Sequence, residues 1–440
     1  MARQHATITR AAIGIGAALA LTAGFAGCGS GNNTTTTDTS APAGGAAVSL
    51  TWWNNQNTEP GLSFWDGVVK DFQTANPGVT IKTQVYQNED LRSKLKTALS
   101  SADAPAIFQQ WGGGELKDQV TAGYVKDISS HVTDEIATIG AANVAGWQVD
   151  GKTYGLPFTL GVEGIYFNQD LFQKAGITTT PTTLPELEDA VARLRAAGIQ
   201  PIAVGGQDAW PAAHWYFNFV LRECAPATIK ADATGMAFTD PCYEKAAKDL
   251  MDFVALNPFN DGWVTTKAQQ GAGSSAGMLA NGQAAMELMG IWEPSVVGGL
   301  TPDKQIPSFL GWFPFPSVPG GGGDQKAAMA GGDGFSCFSK APDACSDFIK
   351  YLLSDEVQKG VAGTINQMPA NPNANSALTQ PILQQIAQAS TSVTTKQLWF
   401  DTVYGNNVGT AINDNVVALM QGQTQPADFV KAIQDAAAKA

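Results

Sequence analysis

From residue 48 onward, short apolar runs alternate with segments whose apolar residues recur at three- and four-residue spacing. Val48-Ser49-Leu50-Thr51-Trp52-Trp53 reads as a strand. Phe64, Trp65, Val68, Val69 and Phe72 then fall on one helical face, and Asn76-Pro77-Gly78 stops that helix. Residues 79–85 predict a second strand, 89–100 a helix and 106–109 a third strand, which together make a β-α-β-α-β unit. The alternation returns in mid-chain: Pro185 sits at a helix start, Leu187, Val191 and Leu194 form its stripe, Gly198 ends it, and 199–204 is the strand that follows. This pattern predicts two α/β lobes with mainly parallel sheets. Ligands of such sheets gather beyond the carboxyl ends of the strands, so the loops there carry the interest.

The beginning of the chain follows a different pattern. Arg3 and Arg10 precede an apolar run over 11–21 and then Gly24-Phe25-Ala26-Gly27-Cys28. That order predicts a secretory signal over 1–27, with an apolar run too short to span a bilayer as a mature helix. The segment resembles a bacterial lipoprotein signal, which implies that Cys28 is lipidated and becomes the mature N-terminus. Phe25 stands where that motif usually carries Leu. Residues 28–47, rich in Thr, Gly, Ser, Asn and Ala, predict the lipidated cysteine and a disordered tether. As a flexible coil the tether spans roughly 25 Å, enough to hold a domain clear of a membrane.

Charge and cysteines narrow the function. The 440 residues carry 26 basic and 39 acidic side chains, a formal charge of −13, and loss of Arg3 and Arg10 with the signal makes the chain more acidic still. Such a surface repels nucleic acid and anionic lipid. With Cys28 assigned to lipid, Cys224, Cys242, Cys337 and Cys345 remain. In an exported chain these predict disulfides, with three formal pairings; the two short closures, Cys224 with Cys242 and Cys337 with Cys345, are the expected ones. Their spacing is not that of metal ligands, and only His131 and His214 remain in the mature chain, so neither metal nor cofactor is expected.

The loops after the strands are rich in aromatic rings, amides and carboxylates beside Gly or Pro. They are Asn54-Asn55-Gln56-Asn57-Thr58-Glu59-Pro60, Gln110-Trp111-Gly112-Gly113-Gly114, Trp210-Pro211, Ile291-Trp292-Glu293-Pro294 and Gly331-Gly332-Asp333-Gly334-Phe335. A sugar offers C–H faces that stack on aromatic rings and hydroxyls that bond to carboxylates and amides, and these loops supply both. Trp52, Trp53 and Trp65 lie inside elements and are expected in the core. Bland roles compete for the carboxylates: Glu59 is placed to cap the helix after Pro60, and Asp333 to form a turn. Gly273-Ser274-Ser275-Ala276-Gly277 matches a nucleophile elbow, but polar residues 265–270 precede it and both mature histidines come before Ser275, so it reads as a loop. Gly320 to Gly323, after Pro319, reads as a connector.

Taken in order, these pieces resemble the extracellular solute-binding lipoproteins of ATP-driven sugar importers, in the branch that includes maltose-binding proteins. The markers are Leu50-Thr51-Trp52-Trp53, Gly155-Leu156-Pro157-Phe158 leading to Gly164-Ile165-Tyr166-Phe167-Asn168, Gly331 to Phe335, and the late helix around Phe348-Ile349-Lys350-Tyr351-Leu352 with Ser354-Asp355-Glu356. The resemblance implies a two-lobe, type II periplasmic-binding-protein-like fold with a ligand cleft between the lobes. It implies lobe 1 from 48–159 plus 326–370 and lobe 2 from 160–316 plus 374–440. The chain would cross near 159–163, near 316–325 and near 368–373. It places ligand contacts at Asn57, Glu59, Gln110, Trp111, Gly161, Trp210, Trp292, Glu293, Gly332 and Asp333. Gly161 stands where maltose binders carry an acidic side chain, which argues against maltose. The Asn57-to-Pro60 and Gln110-to-Gly114 loops look most like actinobacterial xylobiose and xylo-oligosaccharide binders. The implied protein is a non-catalytic monomer anchored on the outer face of the cell membrane. It hands its cargo to transmembrane permease subunits driven by a cytoplasmic ATPase. Two rivals remain: an exported glycoside hydrolase using a pair such as Glu293 and Asp333, and a lipoprotein that binds peptides or siderophores.

Overall fold

The computed structural model describes residues 47–439; the expected signal, Cys28 and all but the last residue of the tether lie outside the described residues. The first lobe is built on strands β1 (Val48–Asn54), β2 (Val79–Val85), β3 (Ile107–Gln110) and, from later in the chain, β4 (Gly155–Pro157) and β11 (Gly334–Cys337), in the order β2-β1-β3-β11-β4. Helices α1 (Gly61–Ala75), α2 (Asn88–Ala98) and α3 (Gly113–Thr121) follow the first three strands. The helical stripe expected on α1 is real: Trp65, Val68, Val69 and Phe72 are buried. Trp52 and Trp65 meet edge to face at 5.8 Å, with Phe335 and Phe348 against Trp52, so these rings are core as expected. Trp53 is half-buried and packs on Tyr86 instead.

The second sheet runs β9-β6-β8-β7, from β6 (Gly164–Asn168), β7 (Gln200–Ile202), β8 (Ala284–Met289) and β9 (Leu310–Phe313). Helix α4 (Leu184–Ala196) carries Pro185 in its first turn behind a capping box from Thr183 and Glu186, and buries Leu187, Val191 and Leu194. Helices α5 (Trp210–Glu223) and α6 (Pro241–Val254) cover the sheet. The sheets are mixed rather than mainly parallel. β11 runs antiparallel to β3 and β4, and β6 runs antiparallel to β8 and β9. The reason is topological: these strands arrive directly from the other lobe, without the helical crossover that parallel pairing requires.

Between the sheets lies a short ladder of β5 (Gly161–Val162), β10 (Ala328–Gly331) and β12 (Lys396–Gln397). β5 links β4 to β6, and β10 links β9 to β11, so both connections between the sheets run through it. Beside it, Leu160 N donates to Met368 O and Ala370 N to Phe158 O. The segment 316–325, expected near the second crossing, lies on the connection from β9 to β10 and wraps Arg222 of α5. That guanidinium is buried and donates to the carbonyls of Phe315, Pro316 and Ala327, while Gln325 Nε2 and Gly323 N donate to Arg222 O. A buried cation with so many carbonyl partners holds a glycine-rich segment in place of hydrophobic packing.

Both expected disulfides are present, Cys224–Cys242 and Cys337–Cys345. The first ties the end of α5 to the start of α6; the second ties β11 to helix α9 (Ala344–Leu352), where α7 (Ser275–Ala280) and α8 (Glu293–Leu300) precede it in the chain. Replacing Cys337 and Cys345 together by serine is expected to cost about 2 kcal/mol in denaturant unfolding, the low end for a short closed loop. Unchanged stability would mean that the bridge constrains little. The Gly273-to-Gly277 match is not a loop throughout: Ser274 caps α7 by accepting Gly277 N, and Ser275 opens that helix. Ser275 is fully buried, with its hydroxyl donating to Ala268 O, so it presents no nucleophile to solvent.

Candidate functional site

The loops beyond β1, β3, β7 and β8 converge on one slot between the lobes, with a volume of about 110 Å³. Asn55, Gln56, Asn57 and Thr58 come from the loop after β1, and Trp111 from the loop after β3. Gln110 shapes that second loop from behind. Its Oε1 accepts Trp111 N at 2.7 Å and Gly112 N at 3.0 Å, and its Nε2 donates to Gln119. Gly112 and Gly113 have φ of 79° and 64°, and a Cβ on either would strike a backbone carbonyl, of Gly146 or Thr402. The turn therefore needs glycine, and it aims Trp111 at the slot.

Arg92 of α2 lies over the Trp111 ring at 4.4 Å and pairs with Glu115 at 3.5 Å. One face of the guanidinium is thus covered by the ring and its edge is paired with Glu115, so it stiffens the ring as a binding platform. Asp333, between β10 and β11, forms no ion pair among the described residues; burial raises its carboxyl to about 6, against the opposing pull of Trp111, Gln109, Arg92 and Asn55. Glu89, also lining the slot, is raised by burial and held back by Arg92.

The opposite wall is aromatic. Trp210, the first residue of α5, meets Trp292 at 5.9 Å, and Trp292 meets Trp399 at 5.6 Å. His214, one turn into α5, stacks on Trp399 at 5.9 Å and lies 5.0 Å from Trp210. Beneath them Glu163, next to β5, binds the group together: it lies 2.5 Å from His214 Nδ1 and accepts from Asn218 Nδ2 and Trp399 Nε1. Helix α11 (Gly405–Met420), which follows α10 (Pro381–Ser390), brings Asn413, whose Nδ2 donates to Asp401 at 3.1 Å. Gly290 leaves room for Trp292, because a Cβ there would fall 2.4 Å from the ring. Gly290→Ala should therefore push Trp292 into the slot and weaken ligand affinity about tenfold with little loss of melting temperature; equal affinity would free Trp292 from that role.

Of the ten expected contacts, Asn57, Trp111, Trp210, Trp292 and Asp333 line the slot. The others do not. Glu59 is exposed and caps α1, accepting Ser63 N and Ser63 Oγ. Glu293 is fully buried beside Glu287 in the second lobe. Gly161 and Gly332 are structural: a Cβ would collide with Ile291 or with Thr159 O. Sequence reading missed Glu89, Arg92, His214, Trp399 and Asp401, all of which sit on helices or just before them rather than in glycine-rich loops.

Among known proteins, a binding protein of Brucella abortus is 30% identical over 199 residues, a match that takes in 43% of this chain and 46%, about half, of that relative's length. The diacetylchitobiose binding protein DasA of Streptomyces coelicolor is 25% identical over 405 residues, 89% of each chain. A solved structure described under xylan utilization by the thermophilic bacterium Caldanaerobius polysaccharolyticus superposes with a TM-score of 0.81 at 25% identity, over 88% of this chain and 99% of its own. The two-lobed fold is thus the type II, maltose-binding-like one. No helix among the described residues is long and apolar enough to cross a membrane. Its residues 55–359 match the model of the bacterial extracellular solute-binding proteins, and with a cleft at its strand ends the chain belongs to that family.

Proposed function

We propose that the protein captures a short neutral oligosaccharide outside the cell and delivers it to a membrane permease powered by an ATPase, without catalysing any reaction. The observation that carries this reading is the slot itself. Trp111 with Arg92 stands on one wall, Trp210, Trp292 and Trp399 on the other, and Asp333 and Asp401 lie at its edges. Flat aromatic faces on two sides with acceptors at the rim suit the two faces and hydroxyl edge of a pyranose ring. A ligand touching both walls favours closure of the lobes, and the crossings at 158–163, 328–333 and 368–370 are the hinge of that motion. Xylobiose and xylo-oligosaccharides are the favoured cargo, with diacetylchitobiose-type sugars next; the xylan- and chitin-related neighbours support this range. A lipidated Cys28 would keep the monomer at the membrane surface. The hydrolase reading loses its suggested pair, because Glu293 is buried away from the slot that Asp333 lines.

Thermal unfolding of residues 48–440 with xylobiose, diacetylchitobiose, cellobiose and maltose tests the reading. The cognate sugar at 100 times its dissociation constant should stabilise the fold by about 2.7 kcal/mol. No shift with any of them would remove the carbohydrate assignment, and release of monosaccharides on long incubation would make the protein an enzyme. Affinity for the cognate sugar should also fall as pH drops below about 6, because Asp333, raised to about 6, then takes a proton and becomes a weaker, uncharged acceptor for sugar hydroxyls. Asp333→Asn should flatten that pH profile, as read by isothermal titration.

A further inference from the structure

A second and larger cavity, of about 420 Å³ on the same measure, adjoins the slot and shares Glu89, Arg92, Asp401 and Asn413 with it. Its walls are again drawn from both lobes: Ser93 and Lys96 of α2 and Asp118 of α3 on one side, Asp208 and, on α11, Thr410 and Asp414 on the other. No aromatic face but that of Tyr124 lines it, so its contacts are polar and adaptable. The shared residues are the septum between the two spaces. Arg92 is held in place by Trp111 and Glu115, and Asn413 is fixed through Asp401, yet Asn413 Oδ1 is buried without a partner at that boundary.

We propose that this cavity is a continuation of the binding cleft, which accommodates one or two further sugar units of an oligosaccharide whose end is clamped in the tryptophan-lined slot, and which rejects units that carry a carboxylate. The inference rests on the oligosaccharide reading above and extends it to chain length and charge. Length follows from geometry: the two spaces adjoin across the shared side chains of Glu89, Arg92, Asp401 and Asn413, and both are walled by the two lobes, so a longer ligand passing between those side chains makes more contacts that exist only in the closed state. Charge follows from the lining. Arg92 is already paired with Glu115, which leaves Lys96 facing Glu89, Asp118, Asp208 and Asp414. A uronic-acid side group would enter a field of its own sign, set by carboxylates that are partly exposed, so the repulsion is screened by salt.

The test is isothermal titration of the folded domain with xylobiose, xylotetraose and a glucuronic-acid-substituted xylotetraose, with the unsubstituted and longer chito-oligosaccharides run in parallel. The tetramer is expected to bind at least tenfold more tightly than the dimer. Thr410→Trp, on an exposed position that lines only the second cavity, should shrink that advantage to threefold or less and leave the dimer unchanged. Ser93→Trp, from the opposite wall, should do the same, so a folding defect in one variant does not decide the matter. The acidic oligomer should bind at least tenfold more weakly than its neutral counterpart, with the gap narrowing in Asp414→Asn and at high salt. A dimer that binds as well as the tetramer in the native protein overturns the inference and leaves the function standing. An acidic oligomer bound as well as the neutral one overturns the charge selection. Failure of every oligomer to bind overturns the function and the inference together.

Discussion

Alanine at both Trp111 and Trp292 is expected to weaken oligosaccharide binding by about three orders of magnitude. The two rings stand on opposite walls of the slot, so a pyranose between them loses a stacking face on each side. Truncation of a buried aromatic anchor typically costs about 2 kcal/mol in binding, and two on opposite walls about 4, or roughly a thousandfold in dissociation constant. Trp111 also packs in a small core with Leu91, Leu95 and Leu116, so the double variant will melt earlier; titration at low temperature, with circular dichroism as the check on folding, separates the two effects. Glu59→Ala is the contrast. It removes an exposed helix cap and should lower stability by about 1 kcal/mol while leaving affinity unchanged. Full affinity in the tryptophan variant, or its loss in Glu59→Ala, would place the ligand elsewhere.

The contrast between Trp111 and Glu59 also shows what kind of information the sequence carried. Periodicity found the first β-α-β-α-β unit and α4 within a few residues, because each of those elements buries one face and its residues repeat accordingly. The pairing of strands was not legible in the same way. β11 sits between β3 and β4 only because the chain returns from the other lobe, and nothing local to Gly334 or Cys337 encodes that. Arg222 is the sharper case. A lone arginine in a helix reads as a solvated charge, yet here it anchors residues 315–327 through the carbonyls of Phe315, Pro316 and Ala327, which no local pattern announces.

Within the site, the rings next to Gly or Pro were found because such loops leave rings unburied by the sheet. Carboxylates were read less well. Glu293 follows Trp292 directly, but at the first position of α8 its side chain turns into the lobe, not toward the slot. Glu89, Arg92 and Asp401 were missed because a polar residue on or beside a helix looks like any other exposed position until its neighbours distant in sequence are in place. His214 lies in a helix buried almost from end to end, where the bland reading of a core histidine was the natural one.

The burial of Glu293 makes the stability of the second lobe depend on pH. It lies beside Glu287 of β8 in the interior of the second lobe, and both carboxyls are fully buried. Burial raises Glu287 to about 8, with Glu293 and Ser275 pulling the other way, and burial together with the Glu287 charge raises Glu293 well above the ordinary glutamate range. The folded protein therefore keeps protons that the unfolded chain has already released above the ordinary glutamate range near 4.5. Between pH 4.5 and 8 the unfolded state binds fewer protons than the folded one, so stability falls as pH rises through that window. Above it the folded carboxyls must ionise in an apolar interior. The domain should be more stable at pH 5 than at pH 9 by roughly 3–5 kcal/mol, read as the urea midpoint at constant slope. Glu287→Gln should remove part of that dependence and the double variant Glu287→Gln/Glu293→Gln most of it, because the amides keep the shape and cannot ionise. The opposite sign, with stability rising from pH 5 to pH 9 in the native protein, would mean that the pair is ionised in the fold and stabilised by groups other than those seen around it.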